Sequence, residues 1–259
     1  MELLIAVPLG FVLGCLIGLT GVGGGALVAP ALYVILGRDY GESVALSLMY
    51  SLLAKIFSAF QHLRQGTLPW KLTLLYGLTG VPGAIVGSQV VYSATGSARA
   101  LLPFLMSGVL LLVSVLMLME SAVRAIAGWN KPFSPHEISW HGALAIGGFQ
   151  LVVGALMGLT SVGSGSLVIL SMVYLFRMSA REIVGSNIVI SLIMVVPAAL
   201  THYVAGGVDW RLLAALSVGS LGGAILGSKT AMLLPDRPLK LVITGLLVAG
   251  AVSTIAKAW

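Results

Sequence analysis

Residues 18–30, GLTGVGGGALVAP, return at residues 158–170 as GLTSVGSGSLVIL. The offset, 158 − 18 = 140, holds without a gap for about seventy residues. Glu42 falls on Glu182, His62 on His202, Gly66 on Gly206 and Trp70 on Trp210. Gly83-x-x-x-Gly87-Ser88 falls on Gly223-x-x-x-Gly227-Ser228. By direct count roughly 22 of the 72 pairs between 18–89 and 158–229 are identical, far above chance for unrelated apolar segments. The chain is therefore read as a tandem duplication: repeat 1 over 1–120, an inter-repeat loop over 121–140 and repeat 2 over 141–259. Whatever one half can fold into, the other half must fold into as well.

The solvent for that fold follows from composition. Of the residues, 58% are hydrophobic and 8% charged, whereas soluble domains carry about 25% charged residues. Apolar stretches near 3–19, 26–36, 43–61, 72–94, 100–119, 141–159, 165–176, 183–201, 212–234 and 239–256 fill nearly the whole chain. An all-α polytopic membrane protein is expected. In such proteins a pair of repeats often encloses a transport site. The net charge of +6 is not a nucleic-acid footprint, because every Lys and Arg except Lys55 lies in a loop or near a helix end, where basic residues set membrane orientation. The single cysteine, Cys15, excludes an intrachain disulfide, and no His or Cys spacing suits a metal. No cofactor is expected. The first segment resembles a leader, but Gly14 and Gly18 match Gly154 and Gly158, so it is read as structure.

A spanning helix needs about 20 residues. Three segments of each repeat qualify: 43–61, 72–94 and 100–119, then 183–201, 212–234 and 239–256. The pairs 3–19/26–36 and 141–159/165–176 are shorter and are split by TGVGGG and TSVGSG. Each pair either crosses once as a broken helix or enters and returns as a re-entrant hairpin. Crossing pairs give parallel repeats, with six Lys and Arg on one face and seven on the other. Returning pairs give inverted repeats. One face then holds Arg38, Arg99, Arg211 and Lys257, and the other holds Arg64, Lys71, Arg124, Lys131, Arg177, Arg181, Lys229, Arg237 and Lys240. Only the second division carries a positive-inside signal. Inverted repeats with both termini on the outer face are the expectation.

Irregular backbone at membrane depth is tolerated only where it is buried in protein or lines a wet cavity. The breaks are thus the candidate substrate site: Thr20, Gly21, Val22, Gly23, Gly24 and Gly25 in repeat 1, and Thr160, Ser161, Gly163, Ser164, Gly165 and Ser166 in repeat 2. A new helix starts after each, with unpaired N–H groups and the positive end of its dipole. Two converging helix starts, glycines that admit a ligand to the backbone and added hydroxyls make an anion site. The plainer reading is that the glycines serve sharp turns and tight helix crossings. A dinucleotide-binding reading of GVGGG lacks its βαβ context.

Lys55 is the one charge well inside a span; it either faces a cavity, offsetting a bound anion, or snorkels to the interface. Its counterpart is Val195. Asn187, aligned with Ser47, either lines the site or bonds neighbouring helices. His62 and His202 close matching helices, as proton relays or as interfacial caps. Gly66 and Gly206 mark turns, Trp70 and Trp210 interfacial anchors, and the paired Gly-x-x-x-Gly faces helix packing. Glu42 and Glu182 suit helix starts.

The pattern resembles the TauE/SafE sulfite exporter family, also called the toluene sulfonate uptake permease group. The resemblance rests on Gly18-Leu-Thr-Gly-Val-Gly-Gly-Gly25 and its copy Gly158-Leu-Thr-Ser-Val-Gly-Ser-Gly165. It rests also on His202-Tyr-x-x-Gly-Gly-x-Asp-Trp210 and the following Gly222-Gly-Ala-x-x-Gly227. Repeat 1 keeps His62, Gly66 and Trp70 but has Pro69 where the family pattern often has Asp. The resemblance spans essentially the full chain. It implies a multi-pass transporter of the bacterial inner membrane for small sulfur-containing anions such as sulfite, thiosulfate or organosulfonates, without fixing the anion or the direction.

Together these readings predict a secondary carrier working by alternating access between inverted repeats, with a proton or sodium as coupling ion. A passive anion channel and the membrane subunit of a multi-component importer are the alternatives. A membrane enzyme is disfavoured, since no His, Cys, Asp or Glu cluster lies at membrane depth.

Overall fold

The computed structural model describes residues 2–20, 25–65, 68–126, 134–135, 138–163, 165–176, 178–206, 208–231 and 236–259. Among these the regular elements are helices: α1 (Glu2–Thr20), α2 (Gly25–Ile35), α3 (Tyr40–Gln65), α4 (Trp70–Ser93) and α5 (Gly96–Ile126), then α6 (Trp140–Thr160), α7 (Ser166–Leu175), α8 (Ala180–Val204), α9 (Trp210–Ala231) and α10 (Asp236–Ala258). The sequence offset maps the first five onto the last five in order.

Among the described residues, five stretches are long and apolar enough to cross a membrane: Trp70–Ser93, Gly96–Met119, Trp140–Thr160, Glu182–Val204 and Trp210–Gly227. These differ from the sequence expectation: 43–61 and 239–256, expected to span, are not among them, α10 having only the shorter apolar stretch Thr244–Ala258, and α6 is added. The α6 arm was expected to be short, yet its 21 residues extend about 31 Å. Its start is fixed by Ser139, whose hydroxyl accepts from the Gly142 N–H at 3.1 Å. Helix α5 runs on to Ile126, into the expected inter-repeat loop, because no Gly or Pro lies between Met119 and Gly128. The outer surface is apolar at positions such as Leu78, Val218, Leu221, Leu101 and Leu144. A protein dissolved in water rarely exposes so continuous an apolar surface; facing lipid it costs nothing.

Inside a bilayer, helices associate through close packing and polar contacts rather than hydrophobic burial. Here glycine sets the closest approaches. On α4, a methyl added at Gly83 or Gly87 would overlap the carbonyl of Leu151 or Ala155 on α6. On α9, Gly223 and Gly227 stand in the same relation to Phe11 and Cys15 of α1. Each of these pairs is the other's image under the offset. Helix α1 thus packs on α9 of the other half, α6 on α4, α3 on α8 and α5 on α10.

Polar contacts gather particular helix ends. Arg38, between α2 and α3, reaches Glu42 at 2.8 Å and Asp209, before α9, at 3.4 Å. Arg99 on the first turn of α5 bonds Asp39 at 2.8 Å, and Lys257 at the end of α10 donates to the Tyr33 carbonyl. At the opposite end of α4, Thr73 donates to Ser186 at 3.2 Å and Tyr76 meets Phe176 edge to face. Helix starts follow the expected chemistry in part. Glu182 closes a capping box with Ser179, whereas Glu42 is taken up by Arg38. Gly206, with a φ of +80°, supplies the turn before Trp210.

Candidate functional site

The second break is built by its own backbone. Helix α6 ends at Thr160, and Ser161 turns left-handed with a φ of 61° while its N–H still donates to Met157 at 2.7 Å. The Thr160 hydroxyl accepts from the Val162 N–H at 3.1 Å and donates to the Leu156 carbonyl at 2.6 Å. Gly163, with a φ of +109°, occupies a conformation that side chains resist. Helix α7 then begins at Ser166, its first turn closed by Leu167 N–H on Gly163 and Ile169 N–H on Gly165, both at 3.1 Å.

The start of α2 meets the second break. Gly25 opens α2 so close to Ser161 that a methyl there would collide with the Ser161 carbonyl. Ser47 of α3 stitches the junction, its hydroxyl lying 2.9 Å from the Ser161 hydroxyl and 3.3 Å from the Gly25 carbonyl. Beside it is a cavity of about 10 Å³, room for roughly one water. Its walls are Gly25 and Ala26 from α2, Leu48, Ser51 and Lys55 from α3, Ser161, Gly163, Gly165 and Ser166 from the second break, and Val195 from α8. Cavities of about 290 and 220 Å³ flank the α6–α7 and α1–α2 pairs, but their walls are almost entirely carbon. The polar chemistry collects in the small one.

Six of the sequence candidates thus share one space: Gly25, Lys55, Ser161, Gly163, Gly165 and Ser166. Thr160 is buried and spends its hydroxyl on the local turn. Asn187 is buried on α8 at the place equivalent to Ser47, and is not among the cavity walls. Thr20 ends α1, with its side chain outside the described residues, as are Gly21, Val22, Gly23, Gly24 and Ser164 as a whole. The side chain of His62 lies outside them too.

His202 is fully buried, away from the cavity walls, between two helices. Its Nε2 is 3.2 Å from the Gly158 carbonyl and its Nδ1 is 2.8 Å from the Tyr92 hydroxyl. A carbonyl only accepts, so the partners assign the proton to Nε2 and leave Nδ1 to accept from Tyr92. The ring ties the last turn of α6, just before the break, to α4 and α8.

Sequence reasoning missed Ser51. The signal was present: Ser43, Ser47, Ser51 and Lys55 recur every fourth residue, which lays a polar stripe along one face of α3. Ser43, Ser47 and Ser51 are all buried.

An apolar-surfaced helical bundle with a polar cavity at paired helix breaks has the architecture of a multi-pass membrane transporter. The chain belongs to the sulfite exporter TauE/SafE family, whose description matches residues 6–254. It is similar to the probable membrane transporter protein YjnA of Bacillus subtilis, with 30% identity over 95% of this chain and 97% of that protein. The probable membrane transporter protein YunE of the same organism is 25% identical over 88% of each chain. A probable membrane transporter protein of Xylella fastidiosa is 24% identical over 100% of this chain and 97% of its own length. No solved structure matches the chain.

Proposed function

We propose that the protein is a secondary carrier for small sulfur-containing anions, sulfite, thiosulfate or organosulfonates, in the bacterial inner membrane. The observation that carries this reading is the convergence of the α2 and α7 starts with Lys55 around one cavity. Helix starts present N–H donors and positive dipole ends, and an ammonium at membrane depth offsets a negative charge. Serine hydroxyls complete the donor set. The family description and the relatives' printed names supply the transport class and the sulfur chemistry.

The carrier consists of two inverted repeats, each a re-entrant helix pair followed by three spans, with the stretch between α5 and α6 joining them. Two sets of contacts support this topology. Arg38, Arg99 and Lys257 fall within one cluster that also contains Asp209, two residues before Arg211; returning pairs place these four cations on one face, and crossing pairs divide them. Ile138, Ser139 and Gly142 at the start of α6 share a cavity with Leu175 and Phe176 at the end of α7, as the two mouths of a hairpin would. The positive-inside rule puts the Arg38 face outside, with both termini.

Closure of the cavity to about one water's volume favours a carrier over an open channel. Anion passage requires the two breaks to part, alternately toward each face. Proton or sodium coupling completes the scheme, with His62, His202 and the carbonyls beside the breaks as its groups. The test is counterflow of radiolabelled sulfite in proteoliposomes. Trans-stimulated exchange is expected, with Lys55→Met raising the half-saturation concentration about tenfold, as loss of a charge-assisted contact would. Unitary conductance without exchange would sink the carrier reading.

A further inference from the structure

The membrane hydroxyls of this chain mostly satisfy themselves. Ser107, Ser114, Thr201 and Thr254 each donate to the carbonyl four residues back, at 2.7–2.9 Å. Ser51 does not. It is 2% exposed, its Oγ has no hydrogen-bond partner among the described residues, and it lines the cavity between the two helix starts. A buried polar atom left unsatisfied in a native protein calls for a partner the protein is built to receive. Ser88 and Gln150 are also without partners, but neither is among the cavity walls.

The walls are one-sided in chemistry as well. They offer hydroxyls, helix starts and one ammonium, and none of the chain's eight carboxylates. A ligand bearing its own ammonium would set that charge beside Lys55 with no negative side chain to receive it. Like charges at close quarters discriminate strongly against a wrong ligand.

Resting on the anion-site reading above, we propose that Ser51 donates directly to the substrate and that the site selects compact, purely anionic sulfur oxyanions and sulfonates over zwitterionic aminosulfonates. The cavity, with room for about one water, must widen to admit any of these ligands and so favours compact ones, and walls without a carboxylate impose the second requirement.

The measurement is isothermal titration of the detergent-purified full chain with sulfite, ethanesulfonate and taurine. Ethanesulfonate and taurine differ by a single ammonium, so their ratio isolates the rejected group. Ethanesulfonate is expected to bind about tenfold or more tightly than taurine. Ser51→Ala should weaken ethanesulfonate about tenfold at an unchanged melting temperature, while Ser51→Thr, which keeps the hydroxyl, recovers most of the affinity. Ser191→Ala, the repeat counterpart outside the cavity walls, should match the parent chain. Equal binding of taurine and ethanesulfonate, or undiminished binding by folded Ser51→Ala, overturns the inference while leaving the anion site standing. Failure of the parent chain to bind either sulfite or ethanesulfonate removes the anion site itself, and this inference with it.

Discussion

Gly25 and Gly163 serve the same junction for different reasons. Gly25 has no room for a side chain, because the Ser161 carbonyl occupies the place a methyl would take. Gly163 has more space, its nearest would-be neighbour being Leu167 at 3.4 Å, but its φ of +109° is closed to ordinary residues. Gly163→Ala should therefore cost about 1–2 kcal/mol of local strain and weaken anion binding, with the helices still assembled. Gly148→Ala on α6, with open space and no positive φ, should be silent. Titration and thermal melting of the two variants check this, and full affinity in Gly163→Ala would show that the bend can be made another way. Residue identity made the breaks, Lys55 and the Ser/Thr donors legible in the sequence. The Ser43/Ser47/Ser51/Lys55 spacing put Ser51 on a polar face, but a serine in a helix is usually self-satisfied, and its orphaned hydroxyl is seen only in the structure. The role of His202 was equally out of reach: Tyr92 and Gly158 lie 110 and 44 residues away, and no local pattern joins them.

Among elements, the α4–α6 and α1–α9 pairs hold the two halves of the chain together. Their glycines let backbones touch, so a larger side chain has nowhere to go except by separating the helices. Gly87→Leu should destabilise the fold by about 1–3 kcal/mol. Gly108→Leu, at a position with nothing within 4 Å, should leave the melting temperature near that of the parent chain. Equal melting of both variants would mean that the α4–α6 contact contributes little. The Gly-x-x-x-Gly spacing announced such faces, but not which helices they join. Spacing gives the side of a helix that packs; it carries no information about a partner from the other repeat. Element lengths erred for a related reason. The α5 end was drawn where hydropathy falls, at residue 119, whereas helix propensity carries through Glu120–Ile126.

For the whole molecule, the Lys and Arg distribution favours the inverted topology proposed above, and the Arg38–Asp209 and Arg99–Asp39 contacts bring together groups that it assigns to one face. Single cysteines tested in a Cys15→Ala background give the decisive readout. Cysteines replacing Thr95 and Trp259 should react with an impermeant reagent from outside the cell, and one replacing Ser139 only after permeabilisation. Labelling of positions 95 and 259 from opposite sides would mean that the α1–α2 and α6–α7 pairs cross. Lys55 faces a cavity whose repeat-related position is Val195. Two identical halves would make the inward-open and outward-open forms degenerate, with no preference for either direction. The unmatched Lys55 is the one of the many differences between the copies that puts a charge beside the cavity, so in the proposed carrier the empty and loaded protein would rest at different points of the cycle. In the carrier proposed above, such differences between the copies would give influx and efflux different half-saturation concentrations, while the gradients alone set the net direction.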